Sequence, residues 1–114
     1  MTPRDYTDYL RDMLDSIEKI EVFTKGLSAE QFAGDEKTIF AVIRALEVLG
    51  EASRKIPEAV KARYADVPWR DVAAIRNKLI HEYFGVSHAV VWRTIQDDLP
   101  RLKPVLAQAL RDAA

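Results

Sequence analysis

One stretch constrains this chain more than any other: Pro68-Trp69-Arg70-Asp71-Val72-Ala73-Ala74-Ile75-Arg76-Asn77-Lys78-Leu79-Ile80-His81-Glu82-Tyr83-Phe84-Gly85. Proline suits the first turn of a helix and glycine the residue just past the last, so the stretch is bounded as one helix. With 100° per residue and Arg76 at the zero of the wheel, Val72, Trp69, Ile80, Ala73 and Phe84 fall in one broad apolar arc. Lys78, Asp71 and Glu82 form a charged wedge opposite. Arg76, Asn77 and His81 break the pattern, lying on or beside the apolar arc rather than in the wedge. Asn77 and His81 are i and i+4 neighbours, and the long Arg76 side chain can reach the same groove. A cation, an amide and an imidazole on the inward side of a helix are either a polar network or a site.

The same residues carry a resemblance. Arg76-x4-His81-x-Tyr83 resembles the signature of the HEPN superfamily, and in particular the HepT-like toxins, small all-helical ribonucleases encoded with a nucleotidyltransferase antitoxin. The similarity takes in Leu46-Glu47-Val48-Leu49-Gly50-Glu51-Ala52 and Pro68-Trp69 upstream, and Val91-Trp92-Arg93 and Leu99-Pro100-Arg101-Leu102 downstream. Arg-x4-His alone is a weak signal; the extended Ile75-Arg76-Asn77-x-Leu79-Ile80-His81-x-Tyr83-Phe84 run is a strong one. Ser87 stands where related sequences often have an acidic residue, and serine serves equally as a helix N-cap. The resemblance implies a homodimer whose two motif helices meet across a cleft. It also implies that the partner nucleotidyltransferase transfers AMP onto Tyr83.

The rest of the chain reads as an all-α antiparallel bundle with short additional helices, in a single domain over residues 1–114. The first helix is expected from about Pro3 to Lys25, ended by Gly26, with Tyr6, Leu10, Met13, Ile17 and Ile20 as its packing seam. Ser28 and Gln31 form a capping box in the turn that follows, with Phe32 as a plug in the core. Asp35 caps a long helix from Glu36 to about Lys55, whose inward stripe is Ile39, Val42, Ile43, Leu46, Leu49 and Ser53, widened by Phe40 and Val48. Gly50 inside it implies close approach of another helix, and Arg44, Glu47 and Glu51 read as a solvated charge ladder. A shorter helix starts at Pro57 and runs to about Ala65. Beyond the motif, Ser87 caps a segment from His88 to Asp97 or Asp98. Pro100 then begins or kinks a last helix, Arg101 to about Arg111, with Pro104 tolerable only in an early turn.

Composition narrows the chemistry. There is no cysteine, so disulfides and thiolate metal sites are excluded, and His81 and His88 lack the spacing of a shared ligand pair. No metal site or cofactor is expected. No signal peptide and no apolar run long enough for a membrane span is present, so a cytoplasmic protein with no membrane partner is expected. A net charge of −1 is unlike the basic excess of most RNA-binding proteins. A nucleic-acid surface must then be a local patch, with Arg70, Arg76, Lys78 and Arg93 as its contributors.

Cleaving RNA without a metal requires removing a proton from the 2′-hydroxyl, stabilising the phosphorane and protonating the leaving 5′-oxygen. His81 suits the proton transfer and Arg76 the phosphate charge, while Asn77 suits orienting His81 or holding a phosphate oxygen. One such histidine per chain makes a shared dimeric site reasonable. The reading is a metal-independent endoribonuclease toxin of a toxin–antitoxin pair, with RNA, a second copy and a nucleotidyltransferase antitoxin as partners. The alternative is a non-catalytic helical subunit that binds a nucleotidyltransferase or nucleotide. Trp69 and Trp92 read as core, although Trp92 beside Arg93 is also placed to stack a base.

Overall fold

The computed structural model describes residues 4–82 and 88–113, except for the side chains of Arg76 and of residues 78–82. Among the described residues there is helix and no strand. Helix α1 spans Tyr6–Thr24, α2 Ala29–Ala33, α3 Glu36–Ser53, α4 Glu58–Arg63, α5 Trp69–Glu82 and α6 His88–Arg93. A π-helical turn, Thr94–Asp98, then leads into α7, Leu99–Asp112.

Local chemistry sets most of these ends. The first helix begins at Tyr6 rather than near Pro3, because Asp5 accepts from the Thr7 N–H (2.8 Å) and Asp8 accepts in turn from the Asp5 N–H (3.2 Å). These bonds satisfy donors that a helix start otherwise leaves without partners. Gly26 takes a left-handed φ of 79°, which a side chain would disfavour, and so closes α1. Ser28 and Gln31 form the expected box, and Asp35 accepts from the Thr38 N–H (3.0 Å) and hydroxyl (2.7 Å). These bonds hold the Asp35 carboxyl below the usual carboxylate range.

The core follows from the seams. Leu10, Met13, Ile17 and Ile20 of α1 are buried against α3, whose Ile39, Val42, Ile43, Leu46, Leu49 and Ser53 are buried in turn. Helix α7 packs on the other side of α1 through Leu99, Leu102, Leu106 and Ala109. Phe32 is wholly enclosed and meets the Trp92 ring at 5.2 Å, tying α2 to α6. Gly50 is buried in α3, and its carbonyl accepts from the Ser53 hydroxyl at 2.7 Å. Phe40, which extends the apolar surface of α3, is 52% exposed. Arg44 and Glu47 pair at 3.6 Å on the surface, as a charge ladder should.

In the C-terminal third, α7 starts at Leu99 with Pro100 in its first turn, the first of the two roles expected of that proline. Arg93, Asp98 and Leu99 all have right-handed helical backbone, so residues 88–112 form one continuous rod. At 1.5 Å per residue it is about 37 Å long. The Leu99 N–H donates to the Thr94 carbonyl, five residues back. This wider turn relieves the clash that a proline ring makes with the carbonyl four residues before it, so Pro100 enters without breaking the helix.

Candidate active site

The motif occupies α5, and two devices fix where α5 lies. Val72 is 5% exposed and Trp69 half-buried on the face that packs against α3. At the N-terminal end the Trp69 indole N–H donates to the Tyr64 carbonyl (3.1 Å), and the Lys61 ammonium lies 6.0 Å from the centre of the indole ring. The Tyr64 hydroxyl reaches across to an Asp112 carboxylate oxygen at 2.5 Å. The turn that launches α5 is thereby tied to the end of α7. Trp69 was legible as part of the motif; Tyr64 and Asp112 had no signal in the sequence.

Among the described residues, α3 is the one helix against which α5 packs extensively. An edge helix with one neighbour buries a narrower face than the apolar arc of its wheel, and this corrects the placement of Asn77. Asn77 is exposed, together with Arg70 and Ala74, whereas Ala73 and Ile75 are half-buried at the flanks of Val72. Asn77 therefore belongs to an outer stripe rather than to the inward side. Arg76 and His81 are five residues apart on α5, a rise of about 7.5 Å.

The remaining candidates divide. Arg70 is exposed on α5 and Arg93 is exposed on α6, which packs on α2 and the π-helical turn. Trp92 is half-buried against Phe32, so it takes the core role rather than the base-stacking one. The side chains of Arg76, Lys78 and His81, and all of Tyr83, lie outside the described residues. Among the described residues no helix is long and apolar enough to cross a membrane.

A family model described as "Ribonuclease HepT-like" matches residues 13–109, from the middle of α1 to near the end of α7. The chain belongs to the HepT-like ribonuclease family. A Thermococcus cleftensis protein named "Probable ribonuclease HepT" is 51% identical over 100 residues, covering 88% of this chain and 91% of its own. Two Methanocaldococcus jannaschii proteins, each named "Putative RNase", are 38% identical over 112 residues, 98% of this chain and 93% and 97% of theirs. No solved structure matches. The HepT-like match contains the whole Arg76-x4-His81-x-Tyr83 motif, and the all-α bundle fits the HEPN superfamily.

Proposed function

We propose that this protein is a metal-independent endoribonuclease, the toxin of a toxin–antitoxin pair, working as a homodimer in the cytoplasm. The observation that carries the reading is the HepT-like motif on an edge helix that packs on α3 and leaves its outer stripe exposed. His81 takes the proton from the 2′-hydroxyl as that oxygen bonds to phosphorus. The 5′-oxygen leaves and is protonated by the second copy's histidine or by water, giving a 2′,3′-cyclic phosphate and a 5′-hydroxyl. Arg76 bears the phosphorane charge with its guanidinium fork. Asn77 orients His81, one turn further along, or holds a phosphate oxygen. Arg70, Lys78 and Arg93 bind RNA phosphates. A nucleotidyltransferase antitoxin silences the site by placing AMP on Tyr83, adding bulk and negative charge beside Arg76.

The test is purified protein with total RNA and with tRNA, alongside Arg76→Ala and His81→Ala, with and without EDTA. Cleavage by the wild type in EDTA, lost in both variants at unchanged helical content, is the expected result. Loss of cleavage in EDTA, restored by one divalent ion, overturns the metal-free mechanism. The net charge of −1 favours a second reading, a non-catalytic subunit for a nucleotidyltransferase. Growth arrest on expression that disappears in His81→Ala excludes that reading.

A further inference from the structure

We propose that the groove between the end of α1 and the start of α7 binds an extended, acidic polypeptide segment of a partner protein, through the main-chain carbonyls of Gln96 and Pro100. The proposal stands apart from the nuclease reading, since no residue of α5 lines this groove. The groove has a volume of about 480 Å³, within the range of sites that take a small ligand or a short peptide. Ile20, Ile95 and Leu99 are buried in its floor, and Gln96, Pro100 and Pro104 stand exposed along one wall.

The backbone of that wall selects the occupant. Pro100 and Pro104 have no N–H, so the carbonyls four residues before them, those of Gln96 and Pro100, lose the donor that a helix supplies. Among the described residues no loop N–H or side chain takes its place. Positions 96, 100 and 104 share the face of the rod that lines the groove. Gln96 and Pro100 are separated by a rise of about 6 Å. In an extended chain the N–H groups of one edge recur every second residue, about 6.8 Å apart. An extended segment laid along α7 can therefore donate to both carbonyls, while alternate side chains rest on the apolar floor. A helical segment cannot, because its N–H groups are spent within the helix. Charge sets the composition. Glu21 of α1 pairs with Lys103 of α7 at 2.9 Å, which leaves Lys25, exposed on the groove's rim, without a carboxylate among the described residues. An acidic side chain on the segment completes that pair.

The probes are fluorescein-labelled heptapeptides of alternating valine and glutamate, and the same peptides with lysine for glutamate, titrated against the full chain by anisotropy. Two N-methylated forms of the acidic peptide, one methylated at the valines and one at the glutamates, each lack the donors of one edge. The acidic peptide should bind and the lysine peptide should bind more weakly. One methylated form should lose about tenfold or more in affinity, and the other should keep most of it. Pro104→Ala returns a helical donor to the Pro100 carbonyl, and should weaken the acidic peptide by about three- to tenfold in a protein no less stable than wild type. Lys25→Glu should reverse the preference between the two peptides. Wild-type affinity in Pro104→Ala, equal losses from the two methylations, or no binding of any peptide overturns the proposal. A change of mass in light scattering of Pro104→Ala without peptide overturns it too, since the groove is then filled by a second copy.

Discussion

The Tyr64 hydroxyl and the Asp112 carboxylate, 48 residues apart, meet at 2.5 Å and join the entry to the motif helix to the end of the last one. The bond holds the Asp112 carboxyl below its ordinary 3.8, helped by Gln108, and raises the Tyr64 phenol above its ordinary 10.0. For the depressed carboxyl, the stabilisation is present above pH 3.8 and is lost as the pH falls through the lower folded value. For the raised phenol, it is present below pH 10.0 and is lost as the pH rises through the higher folded value. Tyr64→Phe should therefore lower the melting temperature across the range between, and the difference from wild type should shrink at either extreme. A difference that is flat from strongly acid to neutral pH would show that the hydroxyl contributes nothing through Asp112.

Phe32 is the side chain whose loss should cost most. It is 0% exposed and packs on Trp92, so Phe32→Ala leaves a cavity between α2 and α6. Urea unfolding should show a loss of about 3–5 kcal/mol, with Trp92 reporting through a shift in its fluorescence. A loss under about 1 kcal/mol would mean that the site collapses around the gap.

How much of this was legible depended on how local the cause was. The Ser28–Gln31 box, the Asp35 cap and the seam from Leu10 to Ile20 rest on spacings of a few residues, and each stands where its spacing put it. The Tyr64–Asp112 bond has no local signature. The π-helical turn that joins α6 to α7 went unsignalled for a different reason. Proline reads as the start of a helix or a kink in it, whereas a π-helical turn just before Pro100 lets the helical backbone run on through it. Asn77 was misplaced because a helical wheel shows which positions are apolar, not how many neighbours cover them. For Arg76, His81 and Tyr83, the motif supplies the roles proposed above.

Pro104 lies inside α7, where it removes the N–H that would pair with the Pro100 carbonyl. A proline in a helix interior costs roughly 3 kcal/mol relative to alanine. Pro104→Ala should therefore raise stability, by up to about 3 kcal/mol, read as an increased urea midpoint. A lowered midpoint would mean that the packing of α7 on α1 depends on the bend that proline imposes.

Tyr83 is the proposed point of inactivation. Co-expression with the nucleotidyltransferase and ATP should add one AMP, seen as an increased intact mass and assigned to Tyr83 by peptide analysis. Tyr83→Phe should escape the adduct and retain cleavage in the presence of the partner. AMP on Tyr64 or Tyr6, with Tyr83 unmodified and the nuclease silent, would move the switch elsewhere.

Asn77 separates a chemical role from a structural one, because its exposure leaves little folding stability at stake. Asn77→Ala should change unfolding free energy by no more than about 0.5 kcal/mol. If the amide orients His81 or holds a phosphate oxygen, kcat should fall roughly tenfold to a hundredfold, equivalent to about 1.4–2.7 kcal/mol of transition-state stabilisation. Asn77→Asp keeps the shape but sets a carboxylate in line with Arg70, so RNA binding should weaken, most strongly at low salt. The two variants divide the possible roles. A kcat loss in Asn77→Ala with KM little changed points to orientation of the imidazole, while a shared rise in KM points to phosphate holding. Wild-type kinetics in both would remove Asn77 from the site and leave Arg76 and His81 to carry the chemistry.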